Sequence, residues 1–183
     1  MKNWASIARR IRVPLGFVFA LLYFWLARPS WPSLMVGLVA IVPGLLLRAI
    51  ASGHVRKNEA LATSGPYAHT RNPLYLGSLL MGVGFAIAAR SLWIDAALIV
   101  MYVAIYLPVI RKEEEFLRQK FSAFEDYSRR VPRMLPRFTR AEDETDTHSE
   151  FSFQLYVKHR EYNALLGALG IAAVLIAKLL MRK

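Results

Sequence analysis

The stretch GPYAHTRNPLYLG, residues 65–77, joins a polar, turn-forming segment to an apolar run that continues to residue 89. Its Asn72-Pro73 pair is typical of a helix start, because proline is tolerated in the first helical turn, where its missing N–H costs nothing. The stretch therefore predicts a helix that enters a membrane. It also predicts that donors, turn formers and aromatic side chains gather at the membrane edge, where they indicate a functional site.

Apolar runs of similar length occur along the rest of the chain. Hydrophobic residues make up 55% of the 183 residues, and the mean hydropathy is +0.31. A helix needs about 20 residues to cross the hydrocarbon core of a bilayer. The sequence therefore predicts an all-α, polytopic helical membrane protein with about five membrane helices, at residues 13–27, 31–51, 74–90, 92–110 and 163–181. The first run lacks a small-x-small cleavage site, which favours a membrane helix over a cleaved signal peptide.

The net charge of +11 comes from basic residues that flank the spans. No nucleic-acid motif accompanies them, so positive-inside bias and attraction to anionic lipids explain the charge better than nucleic-acid binding. Clusters within residues 2–12, 48–71 and 111–112 are predicted to be cytoplasmic, with Arg28 and Arg90 on the opposite side. We therefore expect an integral protein of the cell inner membrane whose polar site faces the cytoplasm.

The C-terminal region fits this orientation poorly. A fifth span would carry Lys178, Arg182 and Lys183 to the non-cytoplasmic side, against the positive-inside rule. The last helix is therefore predicted either to span the membrane against this rule, or to be re-entrant or lie along the interface. Residues 138–150 are acidic and are predicted to be a solvated linker. The chain is predicted to be one membrane domain that ends in an interfacial segment and helix at residues 151–183.

Residues 111–130 are predicted to form an amphipathic helix on the cytoplasmic face. Its apolar residues recur at spacings of three, four and seven, and they are Phe116, Leu117, Phe121, Phe124 and Tyr127. Val131 precedes Pro132, which disfavours helical backbone at Val131 and predicts the end of the helix there.

Charged side chains at the ends of the third and fourth spans are the candidates for chemistry. Glu113 and Glu114 directly follow the fourth span, where carboxylates near lipid are costly unless cations or donors meet them. They either pair with basic neighbours on a wet helix or bind a ligand. Arg71 likewise either extends to the membrane interface or holds a carboxylate through two parallel hydrogen bonds. Tyr67 and Tyr75 add aromatic donors beside it.

The third span carries small residues on one face. Gly77, Met81 and Gly84 follow one another at helical spacing. Small residues allow membrane helices to approach closely, and the same face can leave space for a ligand. The chain has no cysteine, which excludes disulfides, thiolate chemistry and cysteine metal sites.

These motifs together resemble the isoprenylcysteine carboxyl methyltransferase family, which is related to membrane phospholipid methyltransferases. The matching elements, in order, are Gly65-x-Tyr67, Arg71-Asn-Pro-x-Tyr75-x-Gly77, Arg111-x-Glu113-Glu114-x-x-Leu117-x-x-x-Phe121, Tyr127 and Val131-Pro-Arg-x-x-Pro136. The resemblance covers about residues 45–137. Three positions depart from the family's pattern: Asn72 replaces its histidine, Ser122 its glycine and Phe124 the first tyrosine of its Tyr-x-x-Tyr pair.

The resemblance implies a small helical membrane enzyme that uses S-adenosylmethionine without a Rossmann domain and without a metal. The cofactor would lie between residues 52–77 and 111–136, within a core of motifs at residues 52–137. Carried over from the motif, the cofactor-binding residues are Tyr67, Asn72, Tyr75, Glu113 and Glu114. Arg71 and Arg111 are the expected catalytic arginines: either both would orient an acceptor carboxylate, or one of them would bind the carboxylate of the cofactor instead. Tyr127 and Met81 are expected to contact the substrate.

The expected acceptor is amphiphilic, with its tail in the bilayer and its head at the methyl group. A prenylated carboxylate is the leading candidate, and a phospholipid amine is its main rival. An amine acceptor would require a carboxylate base or an aromatic that stabilises a cation, a role for Glu115 or Tyr127. Two rival hypotheses are a nicotinamide-dependent membrane reductase of the steroid reductase type and a non-enzymatic scaffold. The oligomeric state is not readable from the sequence.

Overall fold

A computed structural model of the chain describes residues 4–56, 59–139 and 150–181, and within these ranges every regular element is helical. The helices are α1 Trp4–Leu26, α2 Trp31–His54, α3 Pro73–Ala89, α4 Leu92–Met101, α5 Leu107–Lys120, α6 Phe124–Arg130, α7 Phe153–Lys158 and α8 Tyr162–Met181. A 3-10 turn at Gly65–Ala68 precedes α3, and a π-helical turn at Tyr102–Tyr106 joins α4 to α5. The predicted all-α class is confirmed for the described residues.

The apolar helices occupy the five predicted spans. Three helical stretches among the described residues are long and apolar enough to cross a membrane, namely Trp31–His54, Leu92–Lys120 and Tyr162–Met181. Pro14–Leu26 and Pro73–Ala89 are shorter apolar helices. Length and composition therefore support three of the five predicted spans, together with two shorter apolar helices.

Glycines fix α3 against α2. A Cβ atom on Gly44 would lie 2.7 Å from the carbonyl oxygen of Gly77, and one on Gly37 would lie 2.5 Å from that of Gly84. The two backbones thus touch at two places, which is the packing that small residues allow in membranes. This contact sets where α3 begins relative to the end of α2. It therefore positions the polar stretch that precedes α3.

A proline causes the irregular connection between α4 and α5. Pro108 has no N–H to donate to the carbonyl four residues before it, that of Ala104. The indole Nε1 of Trp4 donates to this Ala104 oxygen at 2.9 Å instead. Leu107 donates its N–H to the carbonyl of Tyr102, closing the π-helical turn. The beginning of α1 is thereby attached to the turn that directs α5.

The predicted amphipathic helix over residues 111–130 is wrong in its extent. Residues 111–120 continue the membrane helix as α5, and the chain then becomes extended at Phe121, with φ −122° and ψ 116°. The break allows α6 to fold back so that Phe124, Tyr127 and Val131 form a buried apolar cluster. Val131 is extended before Pro132, as predicted. Packing of these aromatics overrides the helical pattern.

The C-terminal helix α8 is attached to the bundle at both of its ends. One end of α8 is held by an ion pair between Glu161 and Arg48 of α2. At its other end, Lys178 donates a hydrogen bond to the carbonyl of Ala27 after α1, at 2.8 Å. The helix therefore extends along the bundle between these attachments, and it is long and apolar enough to cross a membrane. Residues 140–149, most of the predicted acidic linker, lie outside the described residues.

Candidate active site

A buried carboxylate connects the two motifs of the sequence. Glu114 on α5 is only 4% exposed. Its Oε1 accepts a hydrogen bond from Nδ2 of Asn72 at 3.0 Å, and its Oε2 accepts one from Nε of Arg133 at 2.8 Å. Nε of Arg71 lies 3.2 Å from Oε1. One side chain thus joins the segment before α3, helix α5 and the segment after α6.

Arg71 is held inside this polar cluster. Its Nη1 donates to the carbonyl of Ser128 at 2.9 Å, and its backbone N–H donates to the carbonyl of Pro132 at 2.9 Å. Its Nε is buried without a hydrogen-bond partner among the described residues, because the nearby Glu114 oxygen lies outside the direction of that N–H. Arg71 and Glu114 therefore attract each other as charges, while the Ser128 carbonyl orients the guanidinium and the Pro132 carbonyl holds the Arg71 backbone.

The segment after α6 lies against the stretch that begins α3. The backbone N–H of Arg137 donates to the carbonyl of His69 at 3.0 Å, and Nδ1 of His69 lies 2.9 Å from the Arg137 carbonyl oxygen. Thr70 Oγ1 donates to the Arg133 carbonyl at 3.2 Å. Arg133 was given no role in the sequence prediction. The one sequence feature that could have identified Arg133 is its position in the Val131-Pro-Arg element of the family motif.

Glu113 points in a different direction from Glu114, because consecutive residues on an α-helix are about 100° apart. Its Oε2 accepts a hydrogen bond from the hydroxyl of Tyr75 at 2.7 Å. Its Oε1 has no hydrogen bond from any residue that the structure describes. Glu113 is half-buried. One carboxylate is therefore saturated by protein groups, whereas its neighbour retains an oxygen available for a ligand.

Tyr75 separates the polar cluster from a largely apolar cavity of about 560 Å³. The cavity is lined by residues of α1, α3, α4, the π-helical turn and α8. Its lining is apolar except for six residues with polar side-chain atoms, Tyr23, Tyr75, Ser78, Tyr102, Tyr106 and Asn163. Met81, a predicted substrate contact, lies on its surface, whereas Tyr127, Arg71 and Arg111 do not.

Three tyrosines form the polar end of the cavity. The rings of Tyr75 and Tyr106 meet edge to face at 6.2 Å, and those of Tyr102 and Tyr106 are stacked at 6.2 Å. Tyr102 and Tyr106 stand at the first and last positions of the π-helical turn. Such turns are frequent at functional sites. Neither Tyr102 nor Tyr106 is among the predicted site residues, because a π-helical turn has no clear sequence signature.

The remaining predicted residues separate into two places. Tyr67 and Tyr127 are buried beside the polar cluster, where the Tyr127 hydroxyl donates to the Tyr67 carbonyl at 2.8 Å. Burial is the largest cause that raises the pKa of both phenols, and in Tyr67 the neighbouring Tyr127 raises it further. Both therefore remain protonated hydrogen-bond donors. Arg111 is exposed and makes no ion pair or hydrogen bond with any described residue.

The cluster does not resemble a metal site. Within residues 4–56, 59–139 and 150–181, no three histidine or carboxylate side chains are grouped so that they could hold a metal ion. The carboxylates at its centre face arginine, asparagine and tyrosine donors. Such donors and the apolar cavity suit an organic ligand with separate polar and apolar parts.

Two curated proteins are similar to this chain. The cobalt-zinc-cadmium resistance protein CzcN of Cupriavidus metallidurans is 36% identical over 137 residues, which are 70% of this chain and 62% of that protein. The nickel-cobalt-cadmium resistance protein NccN of Alcaligenes xylosoxydans xylosoxydans is 34% identical over 116 residues, 63% of this chain and 54% of that protein. The chain thus spans between about half and three fifths of these relatives. No solved structure gives a significant match.

The model of one protein family matches residues 49–123, and its description is phospholipid methyltransferase. This range includes the stretch before α3, all of α3 and α4, and Glu113 and Glu114 of α5. The polar cluster and the tyrosine end of the cavity are therefore built largely from it. The match agrees with the resemblance noted in the sequence: residues 49–123 are similar to the phospholipid methyltransferase family, the membrane methyltransferases related to the isoprenylcysteine carboxyl methyltransferases.

Proposed function

We propose that this protein transfers a methyl group from S-adenosylmethionine to a lipid-like acceptor at the cytoplasmic face of the inner membrane. The observation that carries the proposal is the hydrogen bond between Tyr75 and Glu113, 2.7 Å long, where the polar cluster meets the apolar cavity. At this point a polar cofactor and the head of a membrane-embedded acceptor can meet. The basic flanks of the spans support the cytoplasmic orientation.

The residues present fit the chemical groups of S-adenosylmethionine. The unbonded oxygen of half-buried Glu113 suits an ammonium group or a ribose hydroxyl, and Tyr75 supplies an aromatic face for a sulfonium. Asn72 and Glu114, also predicted to bind the cofactor, are engaged with each other at 3.0 Å. We therefore assign direct contact to Glu113 and Tyr75. Asn72 and Glu114 hold the surrounding segments in place.

The chemistry requires little from the protein beyond geometry. When bound, the cofactor supplies a methyl carbon on a positively charged sulfur, and its C–S bond breaks as the acceptor forms a new bond to that carbon. In the transition state the positive charge of the sulfonium is neutralised by a carboxylate acceptor or dispersed towards an amine acceptor, so exclusion of water and in-line positioning accelerate the reaction. Tyr75 excludes water from the head of the cavity, while Glu113 orients the cationic donor.

The acceptor has two candidate head groups. For a carboxylate, the sequence prediction named Arg71 and Arg111 as its orienting residues. Arg71 is held by Glu114 and Ser128, so we propose that it acts by positioning the cluster. An amine is the second candidate, and the three tyrosines favour it because aromatic faces stabilise methylated ammonium groups. An amine also releases a proton, which the nearby Glu113 carboxylate can accept.

The names of both relatives refer to metal resistance, and this points to a physiological role for the proposed reaction. Anionic head groups give the cytoplasmic leaflet a negative surface potential that attracts cations. Methylation of a carboxylate removes one such charge from the membrane surface. We therefore propose that the physiological acceptor is a membrane-embedded molecule, and that its methylation changes how strongly metal cations are attracted to the membrane surface.

Calorimetric titration of S-adenosylmethionine into detergent-purified protein tests the proposal first. We expect saturable binding that Glu113→Gln weakens about tenfold or more, since a hydrogen bond to a charged group contributes about 1.5–3 kcal/mol. Glu115→Gln is the matched control, because Glu115 is an exposed neighbour on the same helix. A nicotinamide dinucleotide titration tests the reductase hypothesis. Folded, lipid-supplemented protein that binds no S-adenosylmethionine would exclude the proposed activity.

Transfer of a radiolabelled methyl group then distinguishes the acceptors. Products from carboxylate acceptors release methanol on mild alkaline hydrolysis, whereas N-methyl products do not. Membrane lipids from a host that lacks this gene, offered with and without the purified protein, supply the acceptor. Labelled lipid that resists alkali would identify an amine.

A further inference from the structure

Helix α8 is attached to the bundle at its ends by charged side chains. Nη2 of Arg48 lies 2.7 Å from Oε1 of Glu161, and Nε of Arg48 donates to Oε2 at 3.1 Å. The side chains of this pair are 22% and 12% exposed. At the other end, Lys178 donates to the backbone carbonyls of Phe24 and Ala27. Both attachments lie outside residues 49–123, which match the family model, although Arg48 directly precedes them.

Between these attachments, α8 leaves a space beside its glycines. A Cβ atom on Gly167 or Gly170 would meet nothing within 4 Å, and the same is true of Gly16 on the facing helix α1. By contrast, Gly44 and Gly77 of α2 and α3 are in contact with backbone. Both Gly167 and Gly170 line the cavity of about 560 Å³.

The cavity is suited to one hydrocarbon chain. None of its lining residues is charged, and its polar atoms are few. It begins beside Tyr75, whose hydroxyl is bonded to Glu113, and it continues between α1 and α8 as far as Val174. Its volume falls in the range of ordinary ligand sites. An uncharged chain attached to a head at Tyr75 would therefore lie along α8.

We propose that α8 determines which acceptors this protein accepts, by fixing the width of the space that receives the acceptor's hydrocarbon chain. The glycines at 167 and 170 admit a chain that a larger residue would exclude, and the two charged attachments hold α8 at that distance. This inference rests on the proposed function, because the proposed methyl transfer is what identifies the molecule in the cavity as the methyl acceptor. The family-matched segment supplies the chemistry, whereas α8 supplies the selectivity.

The test compares substitutions on the two faces of α8. Gly167→Leu and Gly170→Leu fill the cavity, while Ala173→Leu adds similar bulk on the exposed opposite face. Because leucine favours a helix more than glycine does, neither glycine variant weakens α8 itself. The probe is a sixteen-carbon fatty acid with a photoreactive diazirine in its chain, added to protein in detergent micelles, with attachment sites mapped by mass spectrometry.

We expect the probe to label cavity-lining residues of α8, such as Ala168 and Ile171, and Leu98 of α4. Gly167→Leu and Gly170→Leu should reduce this labelling at least fivefold, and Ala173→Leu should not. Labelling confined to the outer residues Leu166 and Leu169, or an equal loss in all three variants, would overturn the inference.

A second measurement separates this inference from the proposed function. Binding of S-adenosylmethionine should be the same in the wild type and in the α8 variants, because the cofactor lies on the other side of Tyr75. If wild-type protein binds no S-adenosylmethionine but is labelled along α8, the proposed activity fails and the chain site remains. If the cofactor binds and the glycine variants methylate long-chain acceptors as the wild type does, selectivity by α8 is refuted.

Discussion

Glu114→Gln should destabilise the protein strongly, although the substitution changes the size of the side chain very little. Glu114 is 4% exposed, and it is the carboxylate beside Arg71, whose side chain is 12% exposed. The variant keeps a hydrogen-bond acceptor for Asn72 but leaves the Arg71 guanidinium buried without a counter-charge. It also places an amide group against Arg133, which donates to Oε2 in the wild type.

The magnitude follows from burial. Loss of one partner from a buried ion pair costs about 3–5 kcal/mol, because the remaining charge stays desolvated. Arg133 is 44% exposed, so its share is no more than about 1 kcal/mol. For a chain of this size, a loss of about 3–5 kcal/mol lowers the melting temperature by roughly 6–20 °C. Glu115→Gln, on the exposed face of the same helix, should change stability by less than about 0.5 kcal/mol.

Thermal unfolding in one detergent, followed by circular dichroism and by tryptophan fluorescence, measures the difference between these variants. The double variant Glu114→Gln with Arg71→Gln should lose less than the sum of the single losses, because the unpaired charge is then absent. Equal melting temperatures for Glu114→Gln and Glu115→Gln would refute the assignment of Glu114 to a structural ion pair. Glu114 would in that case be assigned to cofactor binding, as the sequence predicted.

Three further perturbations have defined outcomes. Tyr75→Phe removes the hydrogen bond to Glu113 and should weaken S-adenosylmethionine binding several-fold in calorimetry, with little change in melting temperature. An unchanged affinity would mean that the cofactor binds elsewhere. Gly77→Ala puts a Cβ 2.7 Å from the Gly44 carbonyl oxygen and should cost about 1–3 kcal/mol in unfolding experiments, while Gly16→Ala, which meets nothing within 4 Å, should cost almost none. Burial raises the pKa of the Tyr127 phenol above its ordinary value of 10.0, so above about pH 10 the folded state keeps a proton that the unfolded state loses. The free energy of unfolding should therefore fall as the pH rises above about 10, and Tyr127→Phe should make that fall less steep.

Much of this architecture was readable because membranes impose strict rules on sequence. Apolar runs of sufficient length gave the helices, and a proline after Val131 gave the end of α6. The approach of Arg71 and Asn72 to the glutamates of α5 agreed with the motif order. These features depend on local composition or on a few fixed residue types. They are therefore visible without coordinates.

The features that were missed depend on contacts between distant segments. Phe121 interrupts a helical pattern because Phe124 and Tyr127 gain a buried cluster, which outweighs the pattern itself. The π-helical turn that aligns Tyr102 and Tyr106 depends on a distant contact, in which the Ala104 carbonyl accepts a hydrogen bond from the indole of Trp4. The different roles of Glu113 and Glu114 arise from their directions on one helix. None of these can be read from spacing alone.

The contact between Asn72 and Glu114 spans 42 residues of sequence, and this separation has a consequence for biogenesis. During synthesis, the beginning of α3 reaches the membrane surface before the helix that carries its carboxylate partner has been made. Until α5 emerges, Arg71 must remain hydrated or bound to lipid phosphate. Insertion of α4 and α5 therefore completes the polar cluster, and a chain that stops before α5 would leave an arginine exposed at the bilayer edge, where quality-control proteases can recognise it.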